Sequence, residues 1–276
     1  MIDSISGNTI DTQNDHFKKH KWEKFTDIHC HCLHGLDDGP ATMADSLALC
    51  RRLAEEDITT VVATPHQLGR FEGCNEAPRV REAVRSLNEA LGNSGVLLKV
   101  VPGGEVRVDE RVCQLLDADK ILTLADGGRY ILLELPHQVF IDIEPLLTEL
   151  ASMGIQSVIS HAEKIAPLAT QRQVLLKWLE HSAYLQITAS SLVDDFGPAL
   201  QKTAWHFLIS GLATLVATDS HDINGRRPRM RAAFGRISTK LGEDLARLVC
   251  IENPSKVING QDILPVSLYD QQEADR

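Results

Sequence analysis

FTDIHCHCLHGLDDGP, residues Phe25 to Pro40, gathers Asp27, His29, His31, His34, Asp37 and Asp38 where a polar N-terminal segment gives way to an apolar run. On an extended strand, side chains two residues apart project to the same side, so Asp27, His29 and His31 share a face. Two imidazoles on one face supply half of a metal site, and Asp27 is placed to orient one of them. Asp38, in the turn that follows, can reach back over the same strand end. An isolated His-x-His pair is a weak signal. Its weight depends on whether the rest of the chain repeats the pattern.

It does. The apolar runs FTDIHCH, ITTVVATPH, VLLKVVPGGE, RYILLELP, QSVISHAE, AYLQITAS and LATLVATDSH alternate with stretches of helical spacing such as TMADSLALCRRLAEED, PRVREAVRSLNEALG and EPLLTELASMG. Gly154 is placed to end the last of these helices. Near-continuously apolar strands separated by helices predict a parallel sheet covered by helices. Neither GxGxxG nor GxxxxGK follows the first strand, which favours a barrel over a nucleotide-binding open sheet. Six of the seven runs end in metal-binding residue types: His29 and His31, His66, Glu105, Glu134, His161, and Asp219 with His221. In a (β/α) barrel that rim carries the chemistry. The sixth run ends in Thr188 and Ser190, which are poor ligands. Mixed imidazole and carboxylate sets suit Zn, Mn and Fe. Five histidines and four carboxylates, Asp38 included, exceed the needs of one ion, so two or three divalent cations are expected.

Bulk properties narrow the class. The chain has 276 residues, 43% of them hydrophobic, and a formal charge of -10, which disfavours nucleic acid and anionic membrane as main partners. No apolar run approaches the roughly eighteen residues of a membrane span, and the polar start lacks the apolar centre of a signal peptide. Six cysteines without a paired framework read as reduced thiols in a soluble cytoplasmic protein. Trp178, Trp205 and Phe207 fall in helical stretches and read as core, whereas His34, His137, His181 and His206 lie off the strand-end pattern and read as satisfied or solvated. NGRRPRMRAAFGR is a local basic patch that favours anion binding at the rim.

DIHCHCLHGLDDGP, ATPH, GGE, ELP, SHAEK and ATDSHDINGRRP together resemble the successive motifs of the polymerase-and-histidinol-phosphatase (PHP) superfamily. More closely, they resemble its bacterial capsule-associated tyrosine phosphatases of the CpsB/CapC/YwqE type, over residues 26 to 262. The resemblance implies an α/β fold, a distorted (β/α)7 TIM-like barrel of PHP type. It implies a polar extension over residues 1–24, one catalytic domain over 25–265 and a tail over 266–276. It also implies bound manganese or iron, with zinc as an alternative, and removal of phosphate from protein tyrosines, often in the tail of a bacterial tyrosine autokinase that governs polysaccharide synthesis and export. Carried over by motif, His29, His31, Glu105 and Asp219 hold one ion. Glu105, bridging, holds a second with His66, Glu134 and His161, and Asp38 and His221 reach a third. Arg226 matches an arginine that grips phosphate. HAEK departs from the usual HPER: Ala162 replaces proline, and Lys164 keeps the charge but lacks the planar fork of arginine.

Metal coordination lowers the pKa of water from near 16 to about 7, so the expected nucleophile is hydroxide bridging two ions, with Arg226, Lys164 and His221 as the expected catalytic residues. A cysteine intermediate is not expected, since position 80, six after Cys74, is valine. Histidinol phosphate or another small phosphomonoester is the rival substrate. It favours an enclosed pocket under a lid, for which QLGRFEGCNEAP after His66 is short. Phosphodiester cleavage is disfavoured by the acidic composition, and a non-catalytic metal-stabilised module predicts missing ligands. The polar N-terminal segment reads equally as a free arm or as part of a subunit contact, which leaves homo-oligomerisation open.

Overall fold

β-Branched and leucine-rich runs form the strands β1 (Phe25–Cys30), β2 (Ile58–Ala63), β3 (His66–Gln67), β4 (Lys99–Pro102), β5 (Glu105–Arg107), β6 (Tyr130–Glu134), β7 (Gln156–Ile159), β8 (Ala183–Thr188) and β9 (Ala213–Ala217). The structure is a computed structural model that describes residues 24–266. The expected extension, apart from Lys24, and the expected tail, apart from Val266, lie outside the described residues. Every strand pairing among the described residues is parallel, in the orders β1-β2-β4 and β3-β5-β6-β7-β8-β9.

These nine pieces trace seven barrel strands, because two of the strands are broken. β2 and β3 are halves of the second strand, separated at Thr64-Pro65, where proline removes a ladder donor. β4 and β5 are halves of the third, separated at Gly103-Gly104. A Cβ at Gly103 would strike Val62, and one at Gly104 would strike the Gln67 amide. The ring closes from β9 back to β1: His31 N–H donates to Ser220 O at 2.9 Å and Asp219 N–H donates to His29 O at 2.8 Å. The expected distorted seven-stranded barrel is thus the observed architecture.

Ile28, Val62, Leu132, Val158 and Leu215 fill the barrel interior, and Val257 of the helix Asn253–Ile258 plugs its lower end with Ile263. A second apolar layer lies between strands and helices. There Leu49 and Leu53 of Met43–Glu55, Leu87 and Leu91 of Ala77–Asn93, and Leu147 and Leu150 of Glu144–Ser152 are buried. Each such leucine contributes roughly 2 kcal/mol relative to exposure. The first of these helices starts at a capping box, in which the Thr42 hydroxyl accepts from Asp45 N–H and the Asp45 carboxylate accepts from Thr42 N–H. Trp178, Trp205 and Phe207 are buried as expected, and Gly154 follows the Glu144–Ser152 helix at φ +77°. No described helix is long and apolar enough to cross a membrane.

Candidate metal centre

The residues expected at the strand ends meet at one mouth. His29 and His31 leave β1, His66 opens β3, Glu105 opens β5 and Glu134 ends β6. His161 follows β7, and Asp219 and His221 follow β9. His161 (φ +32°) and Asp219 (φ +51°) hold left-handed conformations, strain that persists only where the surroundings impose it. Gly39 brings the Asp37-Asp38 turn over the rim, and a side chain there would collide with the His31 carbonyl oxygen.

Hydrogen bonds fix the tautomers of the first two histidines. Gln186 Oε1 accepts from the backbone N–H of His161 at 3.0 Å, which orients its amide, and lies 3.0 Å from His29 Nδ1. Nδ1 of His29 therefore carries the proton. Asp37 Oδ2 lies 2.6 Å from His31 Nδ1 and accepts from His66 N–H at 3.0 Å, so Nδ1 of His31 is the donor as well. In the neutral imidazoles both Nε2 atoms then present lone pairs, and they face each other across 3.2 Å. Glu105 Oε2 lies 3.4 Å from each Nε2, and Asp219 Oδ1 lies 3.5 and 3.7 Å from them. Ligand bonds of about 2.0–2.2 Å place neighbouring ligand atoms roughly 3.0–3.6 Å apart, and all but the 3.7 Å contact of His31 with Asp219 fall in that range. Lone pairs and carboxylates converging in a buried space repel unless a cation or protons lie between them.

Glu105 is the hub. It is fully buried, and four imidazoles approach it: His29 and His31 at 3.4 Å, His66 at 3.0 Å and His161 at 2.9 Å. Neither of its oxygens has a well-formed hydrogen bond. Potential ligand atoms also group within 4.8 Å of one another in three further sets. These are His66 with Glu105 and Glu134; His31, His66 and His221 with Asp38; and Glu134 and His161 with His137. His221 Nδ1 is 3.1 Å from the Asp219 carbonyl, which makes it the donor and leaves Nε2 unpaired, 3.2 Å from Asp38.

The ionisation of the metal-free site reflects this crowding. Burial would depress His31, yet the Asp37 carboxylate lifts it to about 9. Burial likewise opposes protonation of His66, and Asp38 and Glu105 raise it to about 10. Where no carboxylate compensates enough, burial wins and takes His161 and His221 down to about 4. Glu105 and Asp219 are held well below the carboxylate range despite burial, the first by His29 and His161, the second by Lys164, His29 and Arg226. Glu134 moves up, through burial and the neighbouring Glu105.

Lys164 Nζ donates to Asp219 Oδ2 at 2.6 Å and Arg226 Nη2 to Asp219 Oδ1 at 2.8 Å, so both expected phosphate-binding cations stand at the rim. Three other arginines of the basic patch turn elsewhere: Arg227 and Arg229 pair with Asp195 and Arg231 with Asp57. Asp27 departs from expectation. Its carboxylate accepts from Thr218 N–H and hydroxyl, stitching β1 to β9, and burial pushes it up to about 6. Asp37 and Gln186 orient the imidazoles instead. His137, read as peripheral, lies edge-on to His161 at 5.1 Å with an unpaired, buried Nε2; its place three residues after Glu134 was the available signal.

A parallel barrel whose C-terminal mouth gathers histidines and carboxylates around one buried glutamate has the form of a barrel metallohydrolase. The model of the capsular polysaccharide synthesis family CpsB/CapC matches residues 25–259, and the chain belongs to that family. The tyrosine-protein phosphatase YwqE of Bacillus subtilis is 33% identical over 86% of this chain and 92% of its own length. The tyrosine-protein phosphatase CpsB of Streptococcus pneumoniae is 29% identical over 85% of this chain and 98% of its own. A structure from work on those two proteins, described as metal-dependent tyrosine phosphatases, superimposes with a TM-score of 0.83 at 32% identity, covering 87% of this chain and 97% of that one. An organophosphorus hydrolase from Deinococcus radiodurans (TM-score 0.51, 14% identity, 85% of this chain and 92% of that one) shares the fold.

Proposed function

We propose that this protein is a metal-dependent protein-tyrosine phosphatase. Its substrate is a phosphotyrosine-bearing protein, specifically the tail of a bacterial tyrosine kinase that controls polysaccharide synthesis, in the cytoplasm. The observation that carries the reading is the pair of Nε2 lone pairs of His29 and His31, 3.2 Å apart and closed in by Glu105 and Asp219. In this reading His29, His31, Glu105 and Asp219 would hold one divalent cation, and Glu105, His66, Glu134 and His161 a second. Asp38 and His221 would reach a third. Manganese or iron suits these donors, with zinc as the alternative. A neutral imidazole has one lone pair, so His66 would use Nδ1 toward Glu105 and Glu134 and donate from Nε2 to Asp38, 3.3 Å away.

Bound cations of this kind supply a water nucleophile at neutral pH and offset charge on a phosphoryl group. The protein's own groups do the rest. Arg226 and Lys164, both on Asp219, bind phosphoryl oxygens, and Arg226 offers a two-pronged grip that Lys164 lacks. Asp37 and Gln186 hold the imidazoles in the ligating tautomer. A tyrosine leaving group, with a pKa of about 10, departs with little proton assistance. Five of the six cysteines are buried; Cys74 alone among them is exposed, and no thiol is required.

Turnover of a phosphotyrosine peptide and of histidinol phosphate, with metal content measured on the same sample, tests the reading. Preference for the peptide by a metal-loaded sample is expected. Preference for histidinol phosphate would replace the assignment with small-molecule phosphatase, and full turnover without metal would reject it.

A further inference from the structure

A cleft of about 360 Å³ opens beside the rim, bounded by His66, Glu134, Leu68, Arg70, Phe71 and Arg107, and its size is that of a small-molecule site. Two of these residues, His66 and Glu134, belong to the centre described above. Phe71 supplies an aromatic wall: its ring lies parallel to that of His66, with centroids 5.4 Å apart and 6° between the planes. The turn Gly69–Phe71 that delivers the ring is entered through Leu68 at φ +69°, a left-handed conformation that is strained for a leucine. Gly69 admits the Arg107 side chain, whose Cγ would stand 3.3 Å from a Cβ there, and Arg107 reaches Glu134 at 3.4 Å. Arg70 lies over the Phe71 ring at 4.6 Å and 3.2 Å from Asp38.

Lys164 and Arg226 bear on Asp219, whereas the cleft is bounded by His66 and Glu134. Asp38 lies between the two, 3.7 Å from Arg226 Nη1 and 3.2 Å from Arg70 Nη2, so the cleft adjoins the place where the first pair would grip a phosphoryl group. We propose that this cleft seats the aromatic ring of the substrate, with Phe71 as its wall, so that the site selects aryl over alkyl phosphates. The proposal rests on the phosphatase reading above. An aromatic wall flanked by guanidinium groups favours another ring through edge and face contacts and through cation–π attraction. An alkyl phosphate gains none of these.

Calorimetric binding of phenylphosphonate and methylphosphonate to the manganese-loaded full-length chain tests the proposal without turnover. The wild type is expected to bind the phenyl compound about tenfold more tightly than the methyl compound. The preference should fall to about twofold in Phe71→Ala and persist in Phe71→Tyr. Phe71→Leu, which keeps an apolar side chain, gives the same comparison should the alanine variant not fold. Equal binding of the two phosphonates by the wild type, or a preference retained in Phe71→Ala or Phe71→Leu, would overturn the proposal. Absence of phosphotyrosine hydrolysis by the same manganese-loaded wild type would instead overturn the functional reading, whatever the phosphonates show.

Discussion

Gln186 offers the sharpest perturbation, because one amide oxygen serves two elements of the centre. Replacing it by leucine leaves His29 Nδ1 and the His161 backbone N–H, each 3.0 Å from Oε1, without an acceptor in a fully buried setting. Each stranded donor costs about 1–3 kcal/mol, so Gln186→Leu should lose roughly 2–6 kcal/mol of stability. For a domain of this size that lowers Tm by roughly 5–20 °C. The His29 ring also loses the bond that fixes its tautomer, and metal affinity should fall about 10- to 100-fold. Gln186→Glu separates the two effects. The Gln186 Nε2 group has no hydrogen-bond partner, so exchanging it for oxygen breaks no bond, while the acceptor facing both donors remains. The added buried carboxylate lowers stability, yet with the acceptor kept beside the cations metal affinity in Gln186→Glu should be no weaker than in the wild type. Titration of metal-stripped protein with Mn²⁺, alongside thermal unfolding, reads both quantities. Wild-type affinity in Gln186→Leu at a lowered Tm would refute the orienting role and leave Gln186 a packing residue.

Four further outcomes follow from the same geometry. Asp37→Ala removes the acceptor for His31 Nδ1 and should weaken Mn²⁺ binding about 10- to 100-fold, read by the same titration. Asp27→Ala should instead lower stability by about 2–4 kcal/mol in denaturant unfolding, since it strands the two Thr218 donors that close the barrel. In the metal-free protein His31 and His66, lifted to about 9 and 10, hold protons at neutral pH that a cation must displace. Mn²⁺ uptake at pH 7 should therefore release protons, and affinity should rise as pH increases toward 9; calorimetry in buffers of different ionisation enthalpy counts them. Lys164→Met should reduce kcat/KM for a phosphotyrosine peptide about 10- to 100-fold with metal content unchanged, which steady-state kinetics and elemental analysis together check.

Much of the fold was legible because apolar runs and helical spacing alternate from Phe25 onward, and because ligand types recur at the run ends. Those ends are the barrel mouth, so linear order maps directly onto the site. What escaped the sequence has physical causes. The same-face rule that linked Asp27 to the histidines assumes a regular strand, but the β1–β2 register shifts between Asp27 and Cys30, and Asp27 bonds to Thr218 instead. Gln186 sits on the strand that ends without a ligand, and an amide is not a ligand type, so nothing in AYLQITAS marks it as the acceptor for His29. In the pair Asp37-Asp38, one carboxylate orients His31 while its neighbour faces His66 and His221, a division set by the turn at Gly39. The basic patch read as a unit because its arginines are adjacent in sequence. On the short helix approach they radiate to Asp219, Asp195 and Asp57.

Convergence of these side chains on bound cations at Glu105 is tested most directly by metal stoichiometry in the wild type and in Glu105→Gln, measured by elemental analysis after exposure to Mn²⁺. The account predicts about two to three equivalents in the wild type, the loss of at least about one in the variant, and a fall in phosphotyrosine hydrolysis of about a thousandfold or more. A wild type that binds no transition metal yet hydrolyses the peptide, or a variant that keeps both metal and activity, would contradict it.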